Sequence, residues 1–249
     1  MLQFKHCDHT ENAARSGGAG EKRIDMKLFI DDANVEAIKR ICDLYPVDGV
    51  TTNPTILARV KRDPRETLKE IREIIGPDGI LFAQAVGLSY EGMLKDARML
   101  TDLLGDNTIV KIPSSPIGFK AIRTLKTEGI RTCGTVVYTP MQAYLAAKAG
   151  ASYVAPYVNR IDNMGFDGVK VVTEIQDILT NNYMDCEVLA ASFKNSQQVL
   201  ELCEYGIDNA TCAVDVIESF VKNPAIDGAI RDFVDDFEKL TGKTAMSDL

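Results

Sequence analysis

The sequence predicts an α/β fold, a (β/α)₈ TIM barrel with an extra C-terminal helix. Three observations lead there. The chain has 249 residues, and such barrels typically need roughly 250. From Lys27 onward, short β-branched or apolar runs alternate with longer stretches of helical period, the pattern of repeated βα units. Eight such alternations run on without a break in composition, which favours one closed parallel barrel over two domains. An open doubly wound sheet is the competing architecture, but no G-x-G-x-x-G follows the first strand.

In chain order, strands are expected at Leu28 to Asp31, Asp48 to Thr51, Ile80 to Gln84, Thr108 to Ile112, Thr132 to Thr135, Tyr153 to Pro156 and Val188 to Ala191. A weaker eighth run lies around Asn209 to Cys212. Helical periodicity places helices at Val35 to Leu44, Arg65 to Ile75, Tyr90 to Leu104, Gly118 to Glu128, Thr139 to Ala149, Val169 to Thr180 and Ser196 to Tyr205. A last amphipathic stretch, Pro224 to Leu240, carries Ile226, Ile230, Phe233, Val234 and Phe237 on one stripe and follows no strand. It either caps its own barrel or packs on a neighbouring subunit. Residues 1–25 are polar, contain Gly and Ser, and lack apolar periodicity. They read as a disordered or non-native extension ahead of one domain over residues 26–249.

Composition narrows the function. A formal net charge of −8 and a pI near 4.9 disfavour nucleic acid and anionic membrane as partners, so an anionic substrate needs a local cluster of cations. No apolar run approaches the roughly 20 residues of a membrane span, and the N-terminus lacks the apolar stretch of a signal peptide, so a cytoplasmic location is expected. The six cysteines are scattered without a C-x-x-C pair, which suits reduced thiols better than disulfides or a zinc site. Both histidines, His6 and His9, lie in the N-terminal extension beside Cys7. That trio lacks the fourth ligand of a structural metal site. A domain beginning at Met26 therefore contains no histidine, which excludes Ser-His-Asp triads, H-E-x-x-H zinc sites and a His-ligated metal. Neither a metal nor a cofactor is expected.

Strand residues alternate faces, and inward residues at the C-terminal ends of barrel strands border the active site. Six runs end in a hydrogen-bonding side chain: Asp31, Gln84, Lys111, Thr135, Tyr157 and Ser192. Lys111 stands out. Within Thr-Ile-Val-Lys-Ile-Pro it lies on the face opposite Val110 and Ile112, which are expected to pack on the outer helices. Burial disfavours the ammonium and so favours the free amine that attacks a carbonyl, the requirement of a Schiff-base lysine. The structural alternative is an edge-strand lysine paired with a carboxylate. Lys170 sits in a similar run, but its neighbours continue at helical spacing, so it reads as a solvated helix residue. Without histidine, proton transfer falls to tyrosine, carboxylate or water, with Tyr157 and Asp31 as candidates. Taken singly, each strand-end polar residue could equally be a satisfied structural hydrogen bond. Arg160 follows Tyr157 closely, and Ser192 and Lys194 lie just before a helix start, so the three could converge on a phosphate, although Arg160 could instead pair with Asp162.

The segments Phe-Ile-Asp31, Gly-Val-Thr51-Thr52-Asn53-Pro, Val-Lys111-Ile-Pro, Gly-Thr135-Val-Val-Tyr, Ala-Pro-Tyr157-Val-Asn-Arg160-Ile-Asp and Ala-Ala-Ser192-Phe-Lys194 together resemble the transaldolase family. The resemblance runs from about Lys27 to the C-terminus. Gln84 and Tyr157, where transaldolases of similar size carry glutamate and phenylalanine, resemble the small fructose-6-phosphate aldolase branch. Lys194 replaces an arginine common in transaldolases. The resemblance implies a Schiff base on Lys111, proton movement by Tyr157 through a water held with Gln84 and Thr135, and a contribution from Asp31. It further implies that Thr51 and Asn53 help hold the donor, and that Arg160, Ser192 and Lys194 receive the phosphate. The expected reaction is reversible cleavage of fructose 6-phosphate to dihydroxyacetone and glyceraldehyde 3-phosphate. The alternatives are a transaldolase passing a dihydroxyacetone unit between sugar phosphates, and a non-catalytic sugar-phosphate-binding barrel. Small-molecule sugar phosphates are thus the expected partners. The resemblance also implies a homo-oligomer, a ring-based decamer with exchanged C-terminal helices.

Overall fold

The computed structural model describes residues 25–249, and His6, Cys7 and His9 lie outside the described residues. Eight parallel strands close in sequential order: β1 (Lys27–Asp31), β2 (Gly49–Thr51), β3 (Ile80–Gln84), β4 (Thr108–Pro113), β5 (Thr132–Val137), β6 (Tyr153–Pro156), β7 (Glu187–Ala190) and β8 (Asn209–Cys212). β8 pairs with β1 to complete the barrel. The (β/α)₈ expectation holds, and closure leaves no edge on which Lys111 could sit.

The outer layer is α1 (Val35–Leu44), α2 (Pro54–Arg59), α3 (Pro64–Ile75), α4 (Tyr90–Leu104), α5 (Pro116–Thr127), α6 (Pro140–Ala149), α7 (Val158–Asp162), α8 (Gly168–Asn181), α9 (Ser196–Tyr205) and α10 (Val214–Ser219), with α11 (Pro224–Thr241) beyond it. Local chemistry sets the helix starts. Asn53, Asp63, Ser115, Thr139 and Asn223 each place a side-chain oxygen on a first-turn N–H and are followed by proline at the first helical position. Proline has no N–H to leave unpaired there, which sharpens each boundary.

Side-chain alternation divides the apolar interior in two. Ile30, Val50, Leu81, Val110, Ile112, Val154 and Val188 point outward into the layer beneath the helices. Phe29, Phe82, Ile109, Cys133, Tyr153, Ala155 and Leu189 point inward and fill the barrel. Phe82 is central, meeting Phe29 edge-on at 5.3 Å and Tyr153 at 5.1 Å. This apolar plug is the floor on which the next inward layer stands. Gly118 lets α5 approach the end of β4, since a Cβ there would lie 1.8 Å from the Pro113 carbonyl oxygen.

Helix α11 differs from the others in burying none of its residues. Ile230 and Phe233 are 55% and 74% exposed. Of the two expected roles, capping its own barrel is not what this helix does.

Candidate active site

Two residues above the floor on β1, β3 and β4, on β5 and just past β6, the inward positions turn polar. Asp31 follows Phe29, Gln84 follows Phe82, Lys111 follows Ile109, Thr135 follows Cys133 and Tyr157 follows Ala155. Lys111 is 3% exposed. Its Nζ donates to the Thr52 carbonyl at 3.2 Å, and no carboxylate among the described residues lies within ion-pair distance of it. The edge-strand alternative for Lys111 is therefore removed. The Thr52 carbonyl is itself held, because Thr52 directs both its N–H and its hydroxyl to the Phe82 carbonyl. Gln84 pairs with Lys111 in register.

On one side of the amine, the Thr135 and Tyr157 hydroxyls are 3.0 Å apart. The Tyr157 ring is clamped by Tyr138, edge-on at 5.5 Å, and by the Arg160 guanidinium, 4.4 Å from the ring centre. On the other side, Thr51 donates to Asp31 at 2.7 Å. Burial raises the Asp31 carboxyl above the ordinary carboxylate range, against the lowering influence of Lys111, Thr51 and Arg160. Below the amine, burial pushes the Cys133 thiol up to about 12, which keeps it protonated.

Backbone irregularities aim the strand ends. β5 shifts register against β6 between Gly134 and Val137, and Val136 adopts φ 60°. A β-branched residue in the left-handed region costs on the order of 1–3 kcal/mol and needs support. Gln142 of α6 provides it, accepting from the Tyr138 N–H at 3.0 Å and donating to the Ser114 and Val136 carbonyls, each at 3.4 Å. Ser192 is also left-handed, at φ 64°, and lies two residues past the end of β7. Strict alternation therefore does not govern its direction.

The remaining candidates lie at the rim. Asn53 uses its side-chain oxygen to cap α2 through Ile56 N–H at 3.0 Å, leaving its amide nitrogen for another partner. Arg160 does not pair with Asp162, which instead accepts from Gly168 N–H and from Gln198. The same Gln198 accepts from the Lys194 N–H at 2.8 Å, and Asn159 N–H donates to the Ser192 carbonyl. The loops bearing Arg160, Ser192 and Lys194 are thus tied together, with the Arg160 and Lys194 side chains exposed. Thr52, Tyr138, Gln142 and Thr211 are the contributors that sequence reading passed over. Alternation within Asn209-Ala-Thr-Cys would have found Thr211.

A buried amine on an apolar floor, beside a hydroxyl pair and a carboxylate, can capture a ketone and move protons without a metal. Residues 28–247 match the family model described as Transaldolase/Fructose-6-phosphate aldolase. A protein named probable transaldolase from Aquifex aeolicus (strain VF5) is 44% identical over 218 residues, spanning 88% of this chain and 99% of that protein. Another of that name, from Thermodesulfovibrio yellowstonii, is 45% identical over 215 residues, spanning 86% and 99%. A third, from Kosmotoga olearia, is 42% identical over 221 residues, spanning 89% and 100%. Among solved structures, a mutant flavocytochrome b2 with pyruvate bound superposes with a TM-score of 0.56 at 14% identity, covering 76% of this chain and 57% of that chain. At that identity the likeness concerns the fold alone.

Proposed function

We propose, from the premise that the chain belongs to the transaldolase/fructose-6-phosphate aldolase family, that it is a Schiff-base aldolase acting on fructose 6-phosphate through Lys111. The observation that carries this reading is the placement of Lys111, an amine 3% exposed in the inward layer directly above the apolar plug. Lys111 Nζ adds to the C2 ketone, and loss of water gives an iminium. The C4 hydroxyl gives up its proton as the C3–C4 bond breaks. Glyceraldehyde 3-phosphate leaves, and the electron pair stays as an enamine. Protonation at C3 and hydrolysis then return the lysine and release dihydroxyacetone.

Tyr157 is the proton carrier in this scheme. Its hydroxyl shares a hydrogen bond with Thr135, and Gln84, beside Lys111 in register, helps hold the water without titrating itself. Asp31 with Thr51, and Asn53 through its free amide, orient the donor hydroxyls. Arg160, Ser192 and Lys194 receive the phosphate at the rim.

A second reading is favoured by the printed name of the relatives, probable transaldolase. There the enamine waits for an aldose phosphate acceptor instead of being hydrolysed. Incubation with fructose 6-phosphate alone separates the two. Free dihydroxyacetone accumulating without erythrose 4-phosphate supports the aldolase, and its release only as a transferred unit supports the transaldolase.

The bare stripe of α11 supports assembly into a homo-oligomer, proposed as a decamer in which a second copy covers Ile226, Ile230, Phe233 and Val234. Among the described residues no helix is long and apolar enough to cross a membrane. The acidic charge of the whole chain suits the proposed cytoplasmic location.

A further inference from the structure

Where β8 closes onto β1, a second threonine joins Asp31 in a chain of hydroxyls. Thr51 Oγ1 lies 2.7 Å from Asp31 Oδ1 and 2.6 Å from Thr211 Oγ1. Thr51 and Thr211 are 0% and 1% exposed, so bulk water does not compete for these bonds. A hydroxyl carries one proton, and an ionised carboxylate only accepts. Beside an ionised Asp31, Thr51 must therefore spend its proton on the carboxylate. Its oxygen then meets Thr211 as an acceptor, and Thr211 must donate. An ionised Asp31 thus fixes the direction of both bonds, and hydrogen bonds aligned this way polarise one another.

We propose that Thr211 is a positioning residue for Asp31, acting through Thr51. Its hydroxyl holds the Thr51 donor against the carboxylate and so fixes where Asp31 points. This inference rests on the reading of Lys111 as the Schiff-base amine, with Asp31 orienting the donor. The charged or titratable groups facing Asp31 are Lys111 and Arg160, which favour its ionised form, Asp32, which opposes it, and the Cys212 thiol. The threonine chain is the uncharged contribution that favours the carboxylate. Without the Thr211 hydroxyl, Thr51 can turn away. Asp31 then protonates at higher pH.

The test uses the full chain with Thr211→Val, Thr211→Ala and Thr211→Ser. The readouts are kcat and KM with fructose 6-phosphate, the pH dependence of kcat/KM, and borohydride trapping of dihydroxyacetone on Lys111. Loss of one relayed hydrogen bond should lower kcat/KM by about three- to ten-fold in the Val and Ala variants. Their acid limb should move to higher pH, and Ser should restore both. Trapping at Lys111 should persist in every variant. If the Val variant does not fold, the Ala and Ser pair, which differ by one hydroxyl, makes the same comparison. An unmoved acid limb in Ala, or a Ser variant as impaired as Ala, overturns the positioning role. Failure of the parent to trap at Lys111 instead overturns the reading beneath it.

Discussion

Across the β5–β6 pair, the hydroxyls of Thr135 and Tyr157 stand 3.0 Å apart while the Tyr157 ring is held between Tyr138 and Arg160. The clamp acts on the ring and not on the hydroxyl. Tyr157→Phe should therefore fold normally with its ring in place, and lose about 100-fold or more in kcat because the proton carrier is gone. Steady-state kinetics with fructose 6-phosphate, beside a thermal melt, measures both. Combined with Gln84→Glu, the exchange should raise the ratio of transfer to free dihydroxyacetone release. An unchanged product ratio would show that these two positions do not set the reaction's outcome.

Asp31 separates activity from stability. Its carboxyl is raised by burial, so the folded state binds this proton more readily than the unfolded chain does. The cost of ionising it is fully present above the folded pKa and disappears as pH falls below the unfolded value. Asp31→Asn keeps an oxygen able to accept from Thr51 and removes that cost. The variant should melt higher than the parent at pH 7, with the gain shrinking toward about pH 4. It should also lose the acid limb of kcat/KM. A lower melting temperature at pH 7 would mean that the ionised carboxylate stabilises the fold.

The barrel floor is a stability element. Phe82 is fully buried and meets Phe29 and Tyr153 edge-on. Phe82→Ala should cost about 3–5 kcal/mol, because neighbouring strands cannot collapse into the space left behind. Urea unfolding of a dilute, fully dissociated sample gives this difference directly. A loss under about 1 kcal/mol would show that the interior is loosely packed.

Helix α11 presents Phe233 at 74% exposure. In the proposed decamer this ring is covered by a second copy. Phe233→Asp should lower the mass found by sedimentation while leaving the far-ultraviolet circular dichroism of the barrel unchanged. A parent that sediments as a monomer would contradict the assembly proposal.

Much of the fold was legible because its strands are short β-branched runs set between periodic helices. Lys111 was legible for the same reason, as a lysine inside Ile-Val-Lys-Ile. The three short helices α2, α7 and α10 were not, since five or six residues do not establish a helical period. The bend of β5 was hidden as well. Valine is among the residues least expected at positive φ, and although Gln142, which holds Val136 there, is only six residues away, hydrophobic periodicity does not reveal that contact. Ser192 is left-handed too, so counting faces past the end of β7 gives no direction for its side chain. The pairing of Thr51 with Thr211 joins residues 160 apart in sequence and emerges only when β8 closes on β1.

The most direct measurement is borohydride reduction of the enzyme with dihydroxyacetone, followed by peptide mapping. A single three-carbon adduct should appear on the peptide containing Lys111, and Lys111→Met should neither form it nor turn over fructose 6-phosphate. An adduct on another lysine, or full turnover by Lys111→Met, would contradict the assignment of the buried amine as the nucleophile.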